Sequence, residues 1–496
     1  MPTEADVRGL EYVFHPSSIA FLGVSSNPAN PAGETLIGPY LEHEFDGGLY
    51  PINPKGGEWR GLKIYPSLKE IPGPVDNVII FLGAPTVPKM MEECVEKRVK
   101  VATIFSAGFS ELGTEEGKRL EAETTEIAKR GGVRIIGPNC FGIYCPKTKL
   151  GAGLGFPRES GNVCFLSQSG ASFFYMVRAG ASRGIRFSKV ISYGNASDLN
   201  ESDFLEYVTQ DSDTEIITAY LEGVKDGQRF LKALKAAAEV KPVIVYKGGY
   251  TEAGAKTAAS HTGSLAVGDA VLDAIFKQLG IIRVYSMDEL IDVILPFLYM
   301  SPPKGRNVGV VGTGGGASVQ IADECERMGL HVPKLPPDVK KKLSETTPEA
   351  GSILGNPFDS SMAILDANRF GESIQVIAGW EGIDLMILHR GLSVMSNPGL
   401  TMRTEESRRE TYLSGAQKCG KPTAIVLHSV ASTAETWEVV GEWQMRCNEV
   451  KLPLYPSLDR AANAVNKFIE YHEQRMKRNA FEDKKSSYRP RRAKDS

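Results

Sequence analysis

Short apolar runs rich in β-branched residues alternate with helix-length stretches along nearly the whole chain. Such alternation is typical of parallel sheets built from βαβ units. The runs predicted as strands are 19–24, 49–53, 78–82, 101–105, 133–136, 163–167, 188–192, 216–221, 242–246, 281–284, 308–311, 385–388 and 424–427. The stretches between them predict helices, among them 87–100, 115–130, 204–209 and 228–240. The pattern therefore predicts an α/β protein with doubly wound sheets.

Two stretches that contain glycine and proline, 150–162 and 301–306, predict linkers between three α/β blocks. At roughly 150 residues per domain, a chain of 496 residues suffices for about three domains. We therefore expect doubly wound domains over residues 1–148, 149–302 and 303–472. Residues 473–496 are basic and almost free of aliphatic side chains, so we expect them to form a frayed, disordered tail.

The charges of the chain nearly balance, since 57 Lys and Arg stand against 60 Asp and Glu, for a formal net charge of −3. So small a net charge does not supply the positive field that non-specific nucleic-acid binding needs. Hydrophobic residues make up 42% of the chain, which excludes a disordered body. The longest apolar runs are strand-sized, far short of the roughly 20 residues that span a bilayer. We expect neither a nucleic acid nor a membrane as partner.

The cysteines and the N-terminus predict a cytoplasmic protein. Seven cysteines are scattered without a CxxC pair, which is typical of reduced thiols in a cytosol. The first ten residues are acidic and have no apolar core, so we expect no secretory signal.

His261 is the one histidine of seven that lies in a run of small residues, Gly254-Ala-Lys-Thr-Ala-Ala-Ser-His-Thr-Gly-Ser264. The run follows the end of predicted strand 242–246, which is where open α/β sheets place their sites. An imidazole there can act as a nucleophile or a general base. The alternative is a loop histidine without chemistry, which position alone favours. No second His or Cys lies at ligand spacing, so we expect no metal site.

Three further loops carry polar groups at predicted strand ends. Ser169 and Gly170 close a strand and open a helix, where free backbone N–H groups and the helix dipole favour a phosphoryl group. Gly194 and Asn195 lie in a small polar loop after the next strand. Glu222 follows strand 216–221, where it can accept a hydrogen bond from an imidazole N–H and fix its tautomer. The alternatives are a helix cap for Ser169 and a solvated acid for Glu222.

The first block has three loops suited to a nucleotide that bears phosphate. They end its first, second and fourth predicted strands. The candidate residues are Gly23, Ser25, Ser26, Asn27, Lys55, Ser106 and Gly108. Gly23 lacks the partner glycines of a GxGxxG motif, so we do not expect a dinucleotide there. The alternative interpretation is tight turns and a solvent-facing lysine.

Two motifs compete with this interpretation and fail. Gly312-Thr-Gly-Gly-Gly-Ala317 fits GxGxx(G/A), but the acid that a nicotinamide cofactor needs about 20 residues later is missing. We expect an anion-binding loop facing a partner subunit, or a close helix–strand contact. The run 415–422 resembles a P-loop, but Pro422 replaces the Ser/Thr that binds magnesium and the run precedes a strand.

Five motifs occur in an order that resembles one family. They are Gly137-Pro-Asn-Cys140, Ser167-Gln-Ser-Gly170, Tyr193-Gly-Asn195, Tyr220-Leu-Glu-Gly223 and Ser260-His-Thr-Gly263. The chain resembles the NDP-forming acyl-CoA synthetases, which include ADP-forming acetyl-CoA synthetase and, more distantly, succinyl-CoA synthetase. The resemblance covers about residues 10–470. It implies an N-terminal Rossmann-like CoA-binding domain followed by two flavodoxin-like ligase domains, the first of which bears the histidine.

The resemblance also implies roles for single residues. His261 is the histidine that is transiently phosphorylated, and Glu222 is the acid that steadies it. Ser169, Gly170, Gly194 and Asn195 bind phosphate. The candidates of the first block, together with Asn139, contact coenzyme A. Val267 and Gly268 stand where relatives usually have Ala-Gly, a departure that bears on how the histidine loop moves. Asn356-Pro-Phe-Asp359 also matches the family, without a derivable role.

The activity implied is that of an ADP-forming acid–CoA ligase, which interconverts acyl-CoA, ADP and phosphate with a small carboxylic acid, CoA and ATP through acyl phosphate and phosphohistidine. ADP, ATP and Mg²⁺ then bind to an ATP-grasp β subunit, in an α2β2 assembly, because the three α/β blocks use up the chain. The alternatives are a non-catalytic CoA-binding regulator, and a CoA ligase or lyase of the same superfamily that acts on an unusual acid.

Overall fold

Three mainly parallel β-sheets connected by helices form the framework of the computed structural model. The structure describes residues 10–27, 29–256, 269–313, 315–360, 367–392, 398–429 and 433–487. The predicted alternation of strands and helices, and with it the α/β fold class, is confirmed.

The first sheet contains five parallel strands in the order β2-β1-β5-β6-β7. The strands between residues 18 and 136 are β1 (Ser18–Leu22), β2 (Gly48–Ile52), β3 (Gly57–Trp59), β4 (Leu62–Ile64), β5 (Asn77–Ile80), β6 (Val101–Ile104) and β7 (Arg134–Ile136). The helices are α1 (Ala32–Leu36), α2 (Gly38–Glu42), α3 (Val87–Lys97) and α4 (Glu115–Gly131). β3 and β4 form a separate hairpin. Strands β1, β5 and β6 are buried along their whole length, which explains their continuous apolar sequence.

The second sheet contains six strands in the order β13-β12-β11-β9-β10-β8. The strands are β8 (Gly142–Tyr144), β9 (Val163–Ser167), β10 (Phe187–Ser192), β11 (Ile216–Leu221), β12 (Val243–Lys247) and β13 (Ile282–Val284). The helices are α5 (Gly170–Ser182), α6 (Glu201–Gln210), α7 (Gly227–Val240), α8 (Asp269–Leu279) and α9 (Met287–Tyr299). β8 pairs antiparallel with β10, so it belongs to the second sheet, although we expected the first domain to extend to residue 148. A run of three residues is too short for its periodicity to reveal its partner.

The third sheet also contains six strands, in the order β15-β16-β14-β17-β18-β19. The strands are β14 (Val308–Gly312), β15 (Ser352–Ile353), β16 (Phe358–Ser360), β17 (Leu385–Leu392), β18 (Thr423–Ser429) and β19 (Leu454–Tyr455). The helices are α10 (Gly315–Arg327), α11 (Pro337–Thr346), α12 (Ala367–Ala378), α13 (Pro398–Lys418), α14 (Ala434–Glu449) and α15 (Leu458–Ser487). Only β15 runs antiparallel to its neighbour in this sheet, among the residues that the structure describes.

The chain divides into two compact units. The first unit comprises residues 1–181 and 185–290 and contains the first two sheets; the second comprises 182–184 and 291–496 and contains the third. We expected the last domain to begin at residue 303, but most of α9 belongs to the second unit. Its buried Asp292 forms ion pairs with Arg183 and Arg460 of the same unit, and these distant partners are not visible in a local pattern.

Helix α15 extends well beyond residue 472, so the prediction of a disordered tail is wrong for residues 473–487. Arg306 donates from Nε and Nη2 to the two carboxylate oxygens of Glu473, at 2.9 and 2.8 Å. Arg475 donates to the hydroxyl of Tyr471 at 2.8 Å. These pairs stabilise a charged helix whose composition alone suggests a solvated end. Residues 488–496 lie outside the described part of the chain.

All seven cysteines are free thiols, and six of them are buried. Within the described part of the chain, no helix has the length and apolar character needed to cross a bilayer.

Candidate functional site

The candidate site lies at the carboxyl edge of the second sheet, in the first unit. Strands β11, β9 and β10 are neighbours there, and Ser167 of β9 pairs with Tyr220 on one side and with Ser192 on the other. The loops that follow these three strands therefore leave the same edge of the sheet. They contain three of the four segments in this sheet that the sequence analysis selected.

Ser169 is the N-cap of α5. Its side-chain oxygen accepts from the backbone N–H of Ser172 at 3.2 Å, and Ser167 donates to its carbonyl at 2.7 Å. Gly170 lies against the ring of Phe141, where an added Cβ would come within 2.4 Å of ring carbons. A helix start held in this way presents the positive end of its dipole to the sheet edge. The helix-cap interpretation of Ser169 thus agrees with the geometry, and phosphate binding by Ser169 and Gly170 stays a prediction.

Tyr220 and Gln168, which lie in two of the motifs, hold Glu222 in place. The hydroxyl of Tyr220 donates to Glu222 Oε1 at 3.1 Å. The side chain of Gln168 accepts from the backbone N–H groups of Glu222 and Gly223 and donates to the carbonyl of Gly223 at 2.9 Å. Burial, and then the charge of Glu222, raise the pKa of Tyr220, so its hydroxyl stays a neutral donor. Tyr220 could have been found from the sequence, because it lies only two residues before Glu222 at the end of β11.

Gly194 and Asn195 form the junction between the two sheets of the first unit. Gly194 has φ +50°, and an added Cβ would come within 2.2 Å of the carbonyl oxygens of Pro138 and Asn139. The backbone N–H of Asn195 donates to the carbonyl of Pro138 at 3.0 Å. The Tyr193-Gly-Asn195 and Gly137-Pro-Asn139 motifs, read separately along the chain, are therefore in direct contact.

The side chain of Asn195 is already engaged with acids of the first block. Its amide donates to Glu111 Oε2 at 2.6 Å and to Glu121 Oε2 at 2.8 Å, and it is 8% exposed. Burial of Glu111 opposes ionisation, but hydrogen bonds from Asn195 and from three backbone N–H groups lower its pKa below the ordinary value. Two carboxylates beside this amide do not favour an anion, so a phosphate role for Gly194 and Asn195 stays a prediction. Glu111 and Glu121 carried no motif in the sequence.

The loops of the first sheet are arranged around the ends of β1 and β2. Gly23 lies against the carbonyl of Phe81, and an added Cβ would come within 2.3 Å of that oxygen. The hydroxyl of Ser25 accepts from the N–H of Asn27, and Ser26 and Asn27 are exposed. Lys55 is exposed as well. Gly23 and Ser25–Asn27 therefore follow the end of β1, and Ser26, Asn27 and Lys55 are accessible to a ligand.

Three further candidates for the CoA site form hydrogen bonds within the chain: Ser106, Gly108 and Asn139. Ser106 is buried, and its hydroxyl accepts from the N–H of Leu82 at 3.0 Å. The N–H of Gly108 donates to Glu111 at 2.6 Å. Asn139, with φ +57°, donates its backbone N–H to the carbonyl of Ser106. Their contacts with coenzyme A stay predictions.

His261 lies outside the described residues, as do Val267 and Gly268. Its role in phosphoryl transfer therefore stays a prediction. The strand that precedes its loop is described: β12 ends at Lys247, and the Cα of Gly248 faces the hydroxyl of Tyr220. The strand that precedes the His261 segment therefore lies next to β11, the strand that precedes Glu222.

The motifs of the third sheet have structural contacts. Gly312 ends β14 and lies against the buried ring of His389 on the neighbouring strand β17, where an added Cβ would come within 2.3 Å of that ring. Burial lowers the pKa of His389 to about 4. Asn356 accepts from the N–H of Val310 and donates to the carbonyl of Val308, which explains this residue of the Asn356–Asp359 motif.

Two segments of the chain match known protein families. Residues 17–146 match the family model of a CoA binding domain, and residues 160–296 match that of a succinyl-CoA ligase like flavodoxin domain. The chain is 36% identical over 475 residues to the acetate–CoA ligase (ADP-forming) I subunit alpha of Pyrococcus furiosus, which covers 94% of this chain and 99% of that subunit.

Two further relatives resemble this chain. The 4-hydroxybutyrate–CoA ligase (ADP-forming) of Nitrosopumilus maritimus is 34% identical over 72% of this chain, and the chain spans 51% of that enzyme. The solved structure of the dinucleotide forming acetyl-coenzyme A synthetase 1 of Ca. Korarchaeum cryptofilum, in complex with phosphate and ADP, superposes with a TM-score of 0.80 at 29% identity, over 97% of this chain and 99% of that chain. The chain therefore belongs to the family of ADP-forming acyl-CoA synthetases, and it aligns with an α subunit of that family over nearly its whole length.

Proposed function

We propose that this chain is the α subunit of an ADP-forming acid–CoA ligase and that it carries a phosphoryl group on His261. The reaction interconverts acyl-CoA, ADP and phosphate with a carboxylic acid, CoA and ATP. The observation that supports this proposal most directly is the placement of Glu222. Tyr220 and Gln168 hold it at the edge of the sheet where Ser169 also begins a helix.

The chemistry divides into three transfers. A phosphate oxygen attacks the thioester carbonyl, the C–S bond breaks, and CoA leaves as the thiolate, which takes up a proton. The acyl phosphate then gives its phosphoryl group to an imidazole nitrogen of His261, and the carboxylate leaves. Finally, a β-phosphate oxygen of ADP takes the phosphoryl group from the histidine to give ATP.

The chain's own residues serve the second transfer. The N-terminus of α5, capped by Ser169, stabilises the negative charge of the phosphoryl group in flight. Glu222 accepts a hydrogen bond from the other imidazole nitrogen, which fixes the tautomer and stabilises the positive charge that develops on the ring. Tyr220 keeps the carboxylate in place for this purpose.

Coenzyme A fits the donors of the first sheet. The exposed Lys55 supplies positive charge for a pyrophosphate, and Ser25, Ser26 and Asn27 supply hydrogen bonds beside the close turn at Gly23. This donor set, together with the match of residues 17–146 to a CoA binding domain, supports our assignment of the CoA site to this loop cluster.

We further propose that ADP and Mg²⁺ bind to an ATP-grasp β subunit in a cytoplasmic α2β2 assembly. The name of the relative in Pyrococcus furiosus supports a multi-subunit enzyme, and a relative of about twice the length supports a fused form of the same machinery. We propose a small carboxylic acid as substrate, because relatives are named for acetate and for 4-hydroxybutyrate.

A label-transfer experiment tests the function. The tagged chain is purified from its source cells together with the chains that associate with it, and is given ³²P-phosphate with acetyl-CoA or 4-hydroxybutyryl-CoA. We expect acid-labile label on this chain, lost in His261→Ala and discharged to ATP on addition of ADP with Mg²⁺. The control His15→Ala changes an exposed histidine outside the site and retains the label. Absence of label from the wild-type chain with every acyl-CoA would falsify the proposal.

A further inference from the structure

Glu201, the first residue of α6, carries a buried carboxylate that the chemistry proposed above does not use. The residue is 1% exposed, and its Oε1 atom has no hydrogen-bond partner among the described residues. The backbone N–H groups of Glu201 and Lys225 hydrogen-bond the carboxylate. Because Lys225 lies three residues after Glu222, this carboxylate connects the start of α6 to the loop that carries Glu222.

The phenol of Tyr193 lies within electrostatic reach of both carboxylates. Its side chain is fully buried, and its hydroxyl has no hydrogen-bond partner in the described part of the chain. Burial, and then the charges of Glu201 and Glu222, raise the pKa of Tyr193 well above its ordinary value. Glu201 and Glu222 therefore both lie close enough to Tyr193 for their charges to act on its phenol.

The surroundings of Glu201 favour its neutral form. Burial raises the pKa of Glu201 to about 7; the charge of Lys225 lowers it, and the charge of Asp203 on the same helix raises it. Lys225 directs its ammonium group to the backbone carbonyls of Asn195 and Ala196, at 2.7 and 3.0 Å. A carboxylate with one unpartnered oxygen in a low-dielectric site loses its charge most readily by holding a proton.

We propose that Glu201 is a positioning residue that holds a proton, so that Glu222 is the single charged carboxylate beside Tyr193 when His261 takes up phosphate. This inference rests on the proposed function. Ionised Glu201 adds a second negative charge near the edge of the sheet where a negative phosphoryl group is to be received, and like charges at such a place repel. Protonated Glu201 removes that repulsion and keeps its contact with the Lys225 backbone.

The proposal predicts a pH dependence that belongs to Glu201. If only the protonated form supports transfer, its fraction falls about tenfold between pH 6 and pH 8 for a pKa of about 7. The titration of the imidazole acts in both wild type and Glu201→Gln, whose neutral amide imitates the protonated acid. We therefore expect the ratio of wild-type to Glu201→Gln labelling rates to fall about tenfold over this range.

The measurement is the initial rate of ³²P incorporation from phosphate and acetyl-CoA (or 4-hydroxybutyryl-CoA, whichever labels the wild type) at several pH values, with the same purified assembly as above. Glu206→Gln is the matched control, because Glu206 lies on α6 but forms an ion pair with Arg229; its ratio to wild type stays constant with pH. A constant ratio for Glu201→Gln as well overturns the proposal. So does loss of label at all pH values in a folded Glu201→Gln chain.

Two readouts do not depend on activity. The infrared band of a protonated carboxylic acid in the wild-type chain disappears as pH rises from 6 to 8; its absence throughout this range overturns the proposal even if Glu201→Gln does not fold. Stability gives the second readout. The folded chain holds a proton that the unfolded chain loses near pH 4.5, so this stabilisation is present below about pH 4.5 and is lost as pH rises through about 7.

Wild-type Tm should therefore fall relative to that of Glu201→Gln between pH 5 and pH 8, and parallel Tm curves contradict the proposal. These readouts separate the two hypotheses. A wild-type chain that takes no label from any acyl-CoA overturns the proposed function. A labelled wild type without the predicted pH difference overturns the role of Glu201 alone.

Discussion

Two neutral side chains orient Glu222, the acid that we propose steadies the phosphorylated histidine. Its side chain accepts a hydrogen bond from the neutral hydroxyl of Tyr220, and its backbone N–H donates to Gln168, which follows the neighbouring strand β9. Neutral donors orient a carboxylate without cancelling its charge, and the role proposed for Glu222 requires that charge. At the scale of the residue, the proposed role therefore depends on Tyr220 and Gln168, two side chains outside the proposed chemistry.

Tyr220→Phe tests this dependence. The change removes one hydrogen bond to a charged group, a loss of about 1.5–3 kcal/mol, and so we expect labelling of the chain to slow by about tenfold or more. The rate of ³²P incorporation measures the effect, with Tm expected to change by no more than a few degrees. Tyr246→Phe is the matched control, since that ring packs edge-on against Tyr220 at 5.1 Å. Equal labelling rates in Tyr220→Phe and wild type would show that Glu222 needs no such donor.

At the scale of the element, the loop that follows β10 connects the first two sheets. The loop after β10 contacts the Gly137–Asn139 turn of the first block on one side and Lys225 on the other. Three backbone hydrogen bonds, from Asn195, Ser197 and Leu199 to carbonyls of the first block, align it along the end of β7. Residues of the two sheets are thereby held in one unit.

Gly194→Ala tests the tightness of this junction. The left-handed conformation alone costs an alanine about 1–2 kcal/mol, and its Cβ meets two carbonyl oxygens that cannot move independently of the backbone. We expect a loss of unfolding free energy of about 3 kcal/mol or more, measured by urea denaturation. Gly132→Ala is the matched control, because Gly132 has φ +70° with open space around its Cα, and it should lose only the conformational part. Equal losses at the two positions would contradict close packing at Gly194.

At the scale of the whole molecule, the chain folds as two units whose boundary does not follow the predicted linker. The second unit includes Ser182–Gly184 and most of α9. Asp292 of α9, whose side chain is 3% exposed, forms an ion pair with Arg183. Asp292 accepts from Arg183 at 3.2 Å and from Arg460, and Tyr455 donates to its carbonyl. Burial raises the pKa of Asp292, while Arg460 and Arg183 oppose that rise.

Asp292→Asn should therefore destabilise the second unit in particular. Removal of a buried charge leaves two guanidinium groups without their carboxylate, and because Arg460 is part-exposed we expect a loss of about 2–4 kcal/mol. Calorimetry or urea denaturation followed by probes in each unit should show the transition of the second unit lowered and that of the first unchanged. Asp338→Asn, an exposed acid at the start of α11, should change stability by less than about 0.5 kcal/mol. A shared shift of both transitions would contradict this separation.

The sequence by itself determined the α/β class, most strands and helices, and which loops carry the polar groups. These features depend on local periodicity, and a buried parallel strand is recognisable by its own apolar run. It also contained the proximity of Tyr220 to Glu222, because the two residues are only two positions apart at the end of β11. The predicted start of α6, residue 204, is three residues later than the observed start at Glu201. A capping box formed by Asn200 and Asp203 adds a first turn that apolar periodicity does not mark.

Tertiary structure alone decided the rest. The pairing of β8 with β10, the engagement of Asn195 by Glu111 and Glu121, and the extension of α15 each depend on partners that are distant in sequence. The protonated state proposed for Glu201 depends on burial, which surrounding elements impose. A side chain's charge and hydrogen bonds are set by what surrounds it in space, whereas the sequence states only its neighbours along the chain.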